Sequence, residues 1–427
     1  MSHCQAATDT AATNPDTGPQ QADEKSSATA VQRKGLVITN LFPNAVEKTR
    51  GIFVFQETCA LLDHYDLRII APLPWVPPFL RGQPKFAHHA APAQEQVQGL
   101  KVNHPRHLVI PRMLRWTYGA LLLHAIRRLF DRLRESHPPQ FVLAHYAYPD
   151  GWAALQLTRP CGIPLLVKVR GSDVNVFTAE PRRRALTMEA LEGADRVVAV
   201  SHALKAKMIE LGLPAECITV VRNGIDTERF RPLDRHTCRA ELGLPAEPFT
   251  FLFIGTMREI KGVFPLLDAF RALRDAGNPA RLEMIGSGEL SGAVAERITE
   301  LKLGDCVTLR PPVSHTDVPR WIGACDCLLL PSLMEGYPNV LVEALACARP
   351  VIASRVGGIP EIVVEDRTGL IVPPGEPQPL CAAMQRMTEG FELNAREAAA
   401  AQRSWDDVAD DMSALIEDMI AERDTQT

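Results

Sequence analysis

The sequence of 427 residues has few of the features that mark membrane-spanning, exported or nucleic-acid-binding proteins. No apolar run approaches the roughly 20 residues of a membrane span, and the N-terminus lacks a basic start followed by an apolar core. The net charge of −5 gives no basic excess, and no zinc-finger or RNA-binding motif is present. We therefore expect a cytoplasmic protein that binds no nucleic acid.

Patterns of metal ligands are also scarce. The ten cysteines are scattered, and the one close pair, Cys325 and Cys327, lies in an apolar stretch. Burial explains such a pair better than metal ligation does, and scattered cysteines fit a reducing cytosol. Because no Asp-x-Asp triplet follows a predicted strand, we expect no divalent metal site.

Beyond a polar N-terminal segment, the chain alternates short apolar strands with helices. Residues 1–33 carry almost no large apolar side chains, so we expect them to be disordered. A first series of strands runs from LVIT at Leu36 to ITVV at Ile218, and a second begins with TFLFIG at Thr250. Such a pattern predicts parallel sheets covered on both faces. The expected fold is α/β, with two doubly wound, Rossmann-like domains facing each other across a ligand-binding cleft.

The polar, proline-bearing segment 229–248 indicates where the two domains join. We assign residues 34–232 to an N-terminal domain and 233–395 to a C-terminal domain. Residues 396–427, around Trp405, are expected to form a helix that packs back on the first domain. Near the junction, Asn223, Gly224 and Asp226 are interpreted mainly as turn structure.

Two glutamates, Glu335 and Glu343, flank the start of a predicted helix. The run CLLLP before them predicts a buried strand, and Pro338 stands where a helix begins. Glu343 is then placed to accept ribose hydroxyl hydrogens, and Glu335 to hold sugar hydroxyls, although glutamate pairs at this spacing also occur on solvated helix faces. The amides of a helix N-terminus attract a diphosphate, which makes this stretch a candidate nucleotide-binding segment: Gly336, Tyr337, Pro338, Asn339 and Val340.

The segments that follow strengthen this interpretation. A strand and a glycine turn lie in RPVIASRVGGIPEIV, and a further turn and strand lie in DRTGLIVPPG. Together with the glutamate motif they resemble the C-terminal half of family 4 glycosyltransferases, retaining enzymes of the GT-B fold that use nucleotide-activated sugars. The resemblance spans about residues 35–380 and is strongest after residue 250. It implies that Glu335 contacts the sugar and Glu343 the ribose of a UDP- or GDP-linked donor, with no separate cofactor.

Cations that stabilise a leaving diphosphate are expected in the segment FIGTMREIKGV. Negative charge grows on the distal phosphate as the glycosidic bond breaks, so a fixed cation acts most strongly in the transition state. The family pattern places an arginine directly after the glycine and a lysine five residues beyond. Lys261 matches the lysine, whereas Thr256 stands at the arginine position. Arg258 is either a substitute for that arginine or a surface cation.

Four more residues are secondary candidates for contact with the donor. Gly286 and Gly288 form a turn at a strand end, which the resemblance places near the nucleotide. Arg310 lies in a stretch that in the family frames the base. Gly51 resembles the glycine of the family's first loop, where the backbone passes close to the diphosphate.

The N-terminal domain is expected to bind the acceptor. His145 follows a predicted strand, which places it at the lip of the cleft, where its ring hydrogen-bonds a sugar hydroxyl or helps to balance developing charge. The alternative is a buried histidine that satisfies backbone groups. Arg170, Ser172 and Asp173 form a loop that meets the acceptor, or Asp173 caps the following helix.

The segment from Lys101 to Arg134 is strongly basic, with eight Lys or Arg residues against one acid, Asp131. Trp116, Tyr118 and a run of leucines interleave with these charges. Such an amphipathic segment is suited to an anionic membrane surface, where it would bring an enzyme to a lipid-linked acceptor. The alternative is a solvated helix face with a core stripe.

These observations predict a retaining, metal-independent glycosyltransferase of cell-envelope or extracellular polysaccharide synthesis. It would act in the cytoplasm, at the inner face of the membrane, on a saccharide or lipid-linked saccharide acceptor. A nucleotide-sugar epimerase on the same fold and a non-catalytic sugar-nucleotide sensor are the alternatives; Thr256 is the residue that suggests the sensor.

Overall fold

The computed structural model describes residues 32–110, 113–390, 394 and 402–425. Most of the predicted N-terminal tail lies outside these residues, although Arg33 already belongs to the first strand. The predicted domain boundaries at 232/233 and 395/396 stay predictions.

The first half of the chain builds one large sheet and a small two-stranded sheet. Its elements are β1 (Arg33–Ile38), α1 (Ile52–Ala60), β2 (Tyr65–Ile70), β3 (Leu73–Pro74), β4 (Gln94–Val97), β5 (Leu100–Asn103), β6 (Arg106–His107), α2 (Tyr118–Ser136), β7 (Phe141–His145), α3 (Trp152–Thr158), β8 (Leu165–Val169), α4 (Ser172–Asn175), α5 (Pro181–Glu192), β9 (Arg196–Ala199), α6 (His202–Glu210) and β10 (Ile218–Val220). The large sheet has the order β10-β9-β8-β7-β1-β2-β5-β4. All its neighbours are parallel except β4 and β5.

The second half builds a six-stranded parallel sheet. Its elements are α7 (Arg235–Leu242), β11 (Thr250–Ile254), α8 (Val263–Asp275), β12 (Arg281–Ile285), α9 (Ser291–Glu300), β13 (Val307–Arg310), α10 (Val318–Ala324), β14 (Cys327–Leu330), α11 (Asn339–Ala346), β15 (Val351–Ser354), α12 (Ile359–Ile362), β16 (Gly369–Val372), α13 (Pro377–Thr388) and α14 (Trp405–Asp424). The strand order is β13-β12-β11-β14-β15-β16. The predicted class, α/β with two doubly wound halves, is confirmed.

The strand order of the second sheet positions its functional loops. The chain leaves β11 toward β12 on one side and returns to place β14 on the other side. At such a reversal the loops after the two central strands part and leave a crevice for a ligand. Lys261 follows β11 and Glu335 follows β14, so two residues 74 positions apart meet at this crevice.

Apolar side chains cover both faces of each sheet. The last helix, α14, packs on the first half, where it joins a buried cluster that includes residues of β1, β2 and β7. Its side chains in that cluster are Trp405, Val408, Ala409, Met412, Ile416, Met419 and Ile420. The chain therefore crosses between the halves twice, once after β10 and once before α14.

Helix α2 differs from the expectation that the apolar side chains of the basic segment face a membrane. Its apolar stripe, which includes Leu122, Ile126 and Phe130, is buried in the first core and does not face outward. Trp116 lies under the guanidinium of Arg182, 4.9 Å from ring centroid to Cζ. The arginines of the helix stay exposed, namely Arg127, Arg128, Arg132 and Arg134.

Cys325 and Cys327 are both buried, as predicted. Burial raises the pKa of the Cys325 thiol to about 12. Within the described ranges, no group of three or more His, Cys, Asp or Glu side chains is arranged to hold a metal ion. Nor does any helix in those ranges combine the length and the apolar character needed to cross a bilayer.

The packing of α14 on the first half predicts that Ile416→Ala strongly lowers the stability of the protein. Ile416 is fully buried against the first sheet, so its truncation should lower the free energy of unfolding by about 2–5 kcal/mol. Chemical denaturation of the full chain measures this change. The exposed Asp418 on the same helix provides the control, since Asp418→Ala should change it by about 0.5 kcal/mol or less. Equal effects of the two substitutions would contradict the docking.

Candidate active site

A cavity of about 340 Å³ lies between the two halves. Its walls come from the loops that follow β7, β8, β11 and β14, together with the segment after β10. We call it the donor cavity. The predicted site residues that line it are Arg170, Ser172, Lys261, Glu335, Gly336, Tyr337 and Asn339.

The centre of the donor cavity is an ion pair between Lys261 and Glu335. Lys261 Nζ lies 2.6 Å from Glu335 Oε1, and Ser332 Oγ donates to the same oxygen at 2.6 Å. Gly262 allows this approach, because at its φ of 66° a Cβ atom would stand 2.0 Å from the carbonyl oxygen of Pro331. The two loops of the crevice thus touch through backbone, and the lysine reaches the glutamate directly.

The backbone at Gly336 brings the halves together. A Cβ atom on Gly336 would lie 2.4 Å from the carbonyl oxygen of Arg170, so a larger residue there would force the halves apart. Two side chains of the first half hydrogen-bond this segment. Asn175 Nδ2 donates to the Glu335 carbonyl at 3.3 Å, and Ser201 Oγ donates to the Gly336 carbonyl at 3.3 Å.

Glu343 lies one turn further along α11, apart from the donor cavity. Its Oε1 is 3.2 Å from Nε2 of His315, and it borders a small recess with Phe230 and Trp405. Asn339 lines both this recess and the donor cavity. Along the chain, Glu335 therefore precedes the N-terminus of α11 and Glu343 follows it.

His145 is fully buried at the end of β7, so the expectation that it stands at the cleft lip was wrong. Arg170 Nη2 lies 2.8 Å from His145 Nδ1. Because an arginine can only donate, Nδ1 accepts and the ring proton resides on Nε2. Burial, followed by the charge of Arg170, holds the pKa of His145 well below its usual value. The ring is neutral, and its Nε2–H has no partner among the described residues.

Sequence analysis missed the buried charges that hold Arg170. Lys168 Nζ lies 3.0 Å from Glu57 Oε1, and Arg170 Nη2 lies 2.7 Å from Glu57 Oε2. Both partners of the Lys168–Glu57 pair are completely buried. The available signal was a single charge within each of two apolar runs, IFVFQETCA and LLVKV. We call Glu57, Lys168, Arg170 and His145 the buried charge cluster.

The pKa values of the cluster keep its ions charged at neutral pH. Burial alone would raise the pKa of Glu57, but the attraction of Arg170 and Lys168 outweighs it and lowers the pKa to about 2. Burial lowers the pKa of Lys168 to about 8, against the opposing effect of Glu57. The ion pair between them is thus formed at pH 7.

A polar chain leads from this cluster to the second half. Arg170 Nη1 donates to Asn223 Oδ1 at 2.9 Å, and Asn223 Nδ2 donates to Asn339 Oδ1 at 2.8 Å. Asn339 is the first residue of α11. Asn223 therefore connects the halves, whereas its sequence context had been interpreted mainly as a turn.

Asp173 organises its loop and lies outside the lining of the donor cavity. Its carboxylate accepts from the amides of Ala147 at 2.9 Å, Gly171 at 2.9 Å and Arg170 at 3.2 Å. These bonds run backward along the chain and across to the β7 loop, so they do not support the alternative in which Asp173 caps the following helix. Burial raises the pKa of Asp173 above its usual value.

The other predicted residues do not line the donor cavity. Arg258 is 56% exposed and lies 3.8 Å from Glu289, which is the arrangement of a surface cation. Arg310 Nε donates to Glu283 at 2.6 Å and its guanidinium lies over Trp321. Contacts of these residues with a donor stay predictions, as they do for Gly51, Gly286, Gly288, Pro338 and Val340.

Comparison with known proteins identifies two matching family models. The model described as "Glycosyl transferases group 1" matches residues 248–390, and the model described as "Glycosyltransferase Family 4" matches residues 82–229. The first contains Lys261 and Glu335, and the second contains His145 and Arg170. The donor cavity thus draws on both matched regions.

Curated relatives include D-inositol 3-phosphate glycosyltransferases. The one from Arthrobacter sp. is 33% identical over 59% of this chain, and the chain spans 63% of its length. The one from Paenarthrobacter aurescens is 30% identical over 64% of this chain and 70% of its own length. The amylovoran biosynthesis glycosyltransferase AmsK of Erwinia amylovora is 28% identical over 79% of this chain and 87% of its own length.

Solved structures share the fold across most of the chain. Sucrose-phosphate synthase from Thermosynechococcus elongatus superposes with a TM-score of 0.75 at 23% identity, covering 91% of this chain and 100% of that one. The Anabaena protein HepE in complex with UDP and glucose gives a TM-score of 0.67 at 19% identity, covering 90% and 99%. At these identities the likeness establishes the fold alone.

The buried charge cluster predicts how stability depends on pH. Glu57→Gln leaves Lys168 and Arg170 buried without a carboxylate, so the free energy of unfolding at neutral pH should fall by about 3–5 kcal/mol. The pKa of Glu57 is about 2 in the folded chain, against an ordinary 4.5. Its contribution is therefore complete above about pH 4.5 and is lost as the pH falls toward 2. Denaturant unfolding at successive pH values measures the difference between wild type and variant.

The exposed Glu210, which pairs with Lys207 on the surface, provides the control. Glu210→Gln should cost about 0–1 kcal/mol. A difference between wild type and Glu57→Gln that stays constant down to pH 2 would contradict the assignment.

Proposed function

We propose that this chain, which belongs to family 4 of the glycosyltransferases, transfers a sugar from a UDP- or GDP-linked donor to a saccharide or lipid-linked saccharide. The process we infer is synthesis of a cell-envelope or extracellular polysaccharide, which the name of the relative AmsK supports. The observation that carries the proposal is the Lys261–Glu335 pair in a cavity between two Rossmann-like halves. No observation favours an epimerase.

The ion pair indicates how Lys261 and Glu335 would leave each other and contact a donor when it binds. In the free enzyme Glu335 satisfies the ammonium of Lys261 at 2.6 Å. A donor diphosphate beside Lys261 and the N-terminus of α11 would take over this cation and leave the carboxylate to accept sugar hydroxyls. Because charge on the distal phosphate grows as the bond breaks, Lys261 stabilises the transition state more than the bound donor.

We infer transfer with retention at the anomeric carbon and without a metal ion. Glu335 is the one carboxylate among the described residues that line the donor cavity, and it is held by Lys261 and Ser332. Reaction on one face of the sugar needs no protein nucleophile. The bond from the anomeric carbon to the phosphate oxygen breaks, the bond to the acceptor oxygen forms, and the acceptor proton passes to the departing phosphate.

The state of His145 rules out one of its two expected roles. Its ring cannot balance charge as an imidazolium, since burial and the adjacent Arg170 both oppose protonation and hold its pKa well below the usual value. His145 does not line the donor cavity, but it contacts Arg170, which does. We therefore propose that His145 acts on the site by positioning Arg170.

Loss of either partner of the central pair should abolish most activity. Lys261→Met and Glu335→Gln should each lower kcat by about 10²–10³-fold, measured as sugar transfer or as slow hydrolysis of the nucleotide sugar. The control is Arg355→Gln, because Arg355 is exposed and pairs with Glu365 away from the cavity. Folded variants that keep wild-type turnover would refute the catalytic assignment, and a wild type that binds the nucleotide sugar without turnover would indicate the sensor.

We further propose that the basic segment touches an anionic membrane. Among the described residues of this segment, Leu108, Met113 and Leu114 are exposed large apolar side chains, and the arginines of α2 are exposed along the same segment. This combination of outward cations and apolar side chains fits a peripheral contact with acidic lipid headgroups. The contact would place the donor cavity near a lipid-linked acceptor at the inner face of the membrane.

Charge reversal tests this contact. The triple variant Arg127→Glu, Arg128→Glu and Arg132→Glu should lose most binding to vesicles that contain phosphatidylglycerol, in a flotation assay at low salt. Added salt should release the wild type, because screening weakens the attraction. The variant Arg355→Glu reverses a single exposed charge elsewhere and should still float. Equal flotation of the triple variant, or no flotation of the wild type, would dispose of the proposal.

A further inference from the structure

The first sheet has a reversal of its own, at β1. The chain leaves β1 toward β2 on one side and later places β7 on the other side. The loops after β1 and β7 therefore part and leave a crevice of the kind that holds ligands in open α/β sheets. Phe53, in the helix after β1, and Tyr146, directly after β7, both line the donor cavity. The donor cavity thus lies where the crevices of the two sheets meet.

A buried carboxylate holds the two loops of the first crevice together. Asp150 is fully buried in the loop after β7. It accepts from the amide of Asn40 at 2.8 Å and from Asn40 Nδ2 at 3.1 Å, and Asn40 follows β1. Burial holds the pKa of Asp150 well above its usual value. The loop that carries Tyr146 is therefore fixed to the loop after β1.

The backbone of Tyr146 is strained. Its φ is 73° and its ψ is 127°, a conformation that a bulky L-residue rarely adopts. Its amide donates to the carbonyl of Lys168 at 3.0 Å, and its carbonyl accepts from the amide of Gly151 at 2.9 Å. Strained residues that are held by their surroundings cluster at functional sites. Glycine would adopt this conformation without the strain, so a tyrosine here points to a role for the side chain.

The side chain of Tyr146 suits a saccharide. The residue is half-buried, and its hydroxyl makes no hydrogen bond to any described residue. Burial, followed by the charge of Asp173, raises the pKa of the Tyr146 phenol above its usual value, so the hydroxyl stays protonated at neutral pH. A protonated phenol both donates and accepts, and its ring is apolar. A sugar likewise combines apolar C–H faces with hydroxyl groups.

We propose that Tyr146 binds the acceptor saccharide through its hydroxyl and so favours transfer to that acceptor over transfer to water. This role rests on the proposed function, in which Lys261 and Glu335 hold the donor on the second half. Tyr146 lines the same cavity from the first half. Its hydroxyl would contact an acceptor hydroxyl other than the attacking one. The proton of the attacking hydroxyl still passes to the departing phosphate, and Tyr146 takes no part in that transfer.

The variant Tyr146→Phe tests this role, because it keeps the ring and removes only the hydroxyl. The full chain is assayed with UDP-glucose and with GDP-mannose, first without acceptor and then with octyl β-glucoside or octyl β-galactoside below their micelle concentrations. Tyr146→Phe should raise the KM for the glycoside about three- to tenfold, the effect of one lost neutral hydrogen bond. Hydrolysis of the nucleotide sugar without acceptor should stay at the wild-type rate, so more of the cleaved donor should end on water.

Tyr65→Phe is the matched control. The Tyr65 hydroxyl lies 2.9 Å from Ser413 Oγ and 3.1 Å from Glu417 Oε1, where α14 packs on the first sheet. Its loss should leave the KM for the glycoside unchanged. A tyrosine hydroxyl that acts only through the stability of the fold would show the same KM effect in both variants, which would overturn the proposal.

Three further outcomes would overturn it. They are an unchanged glycoside KM in Tyr146→Phe, an equal loss of acceptor-free hydrolysis in that variant, and a wild type that hydrolyses the donor but transfers to neither glycoside. The second outcome would assign Tyr146 to the donor sugar. In all three cases hydrolysis that depends on Lys261 would leave the proposed function standing, whereas a wild type that cleaves neither nucleotide sugar would end both.

Discussion

The placement of one buried carboxylate, that of Glu57, governs the geometry of the donor cavity. It lies between Lys168 and Arg170, and the cost of burying these charges is offset because each cation meets its own carboxylate oxygen. Arg170 is thereby fixed with one nitrogen on His145 and another on Asn223. The tautomer of the buried His145 ring follows from the fixed position of Arg170. The position of α11 follows from it as well, although α11 belongs to the other half.

The halves meet through polar contacts and bare backbone rather than through a common apolar core. Separate clusters fill the two sheets, and Tyr337, in the loop between β14 and α11, packs against a cluster of each half. Gly336 and the hydrogen-bonded pair Asn223–Asn339 supply the rest of the contact near the cavity. Interfaces of this kind permit relative domain motion, which suits the proposed function, in which the cavity admits a donor and releases a nucleotide.

Sequence patterns predicted the site residues whose positions depend on neighbouring residues in the chain. Lys261 and Glu335 were found because each follows an apolar strand at a recognisable motif, and parallel topology then brings them together. Glu57 and Lys168 were missed because they are 111 residues apart, and a single charge in an apolar run does not reveal its partner. His145 was misplaced for a related reason: its position after a strand is visible in the sequence, whereas its burial depends on loops from elsewhere. The stripe of α2 was ambiguous because a core face and a membrane face have the same periodicity.

The substitution of Thr256 for the family's arginine is best understood from the charges around the donor cavity. Thr256 is exposed, and Arg258 extends toward Glu289 on the surface, so neither supplies a second cation beside Lys261. Arg170 does line the cavity, from the opposite half. With Lys168 it outnumbers the one carboxylate of the buried charge cluster, and the neutral His145 leaves this excess unchanged. The buried charge cluster thus carries net positive charge next to the donor cavity, and under the proposed function the cations of both halves would favour binding of a donor diphosphate.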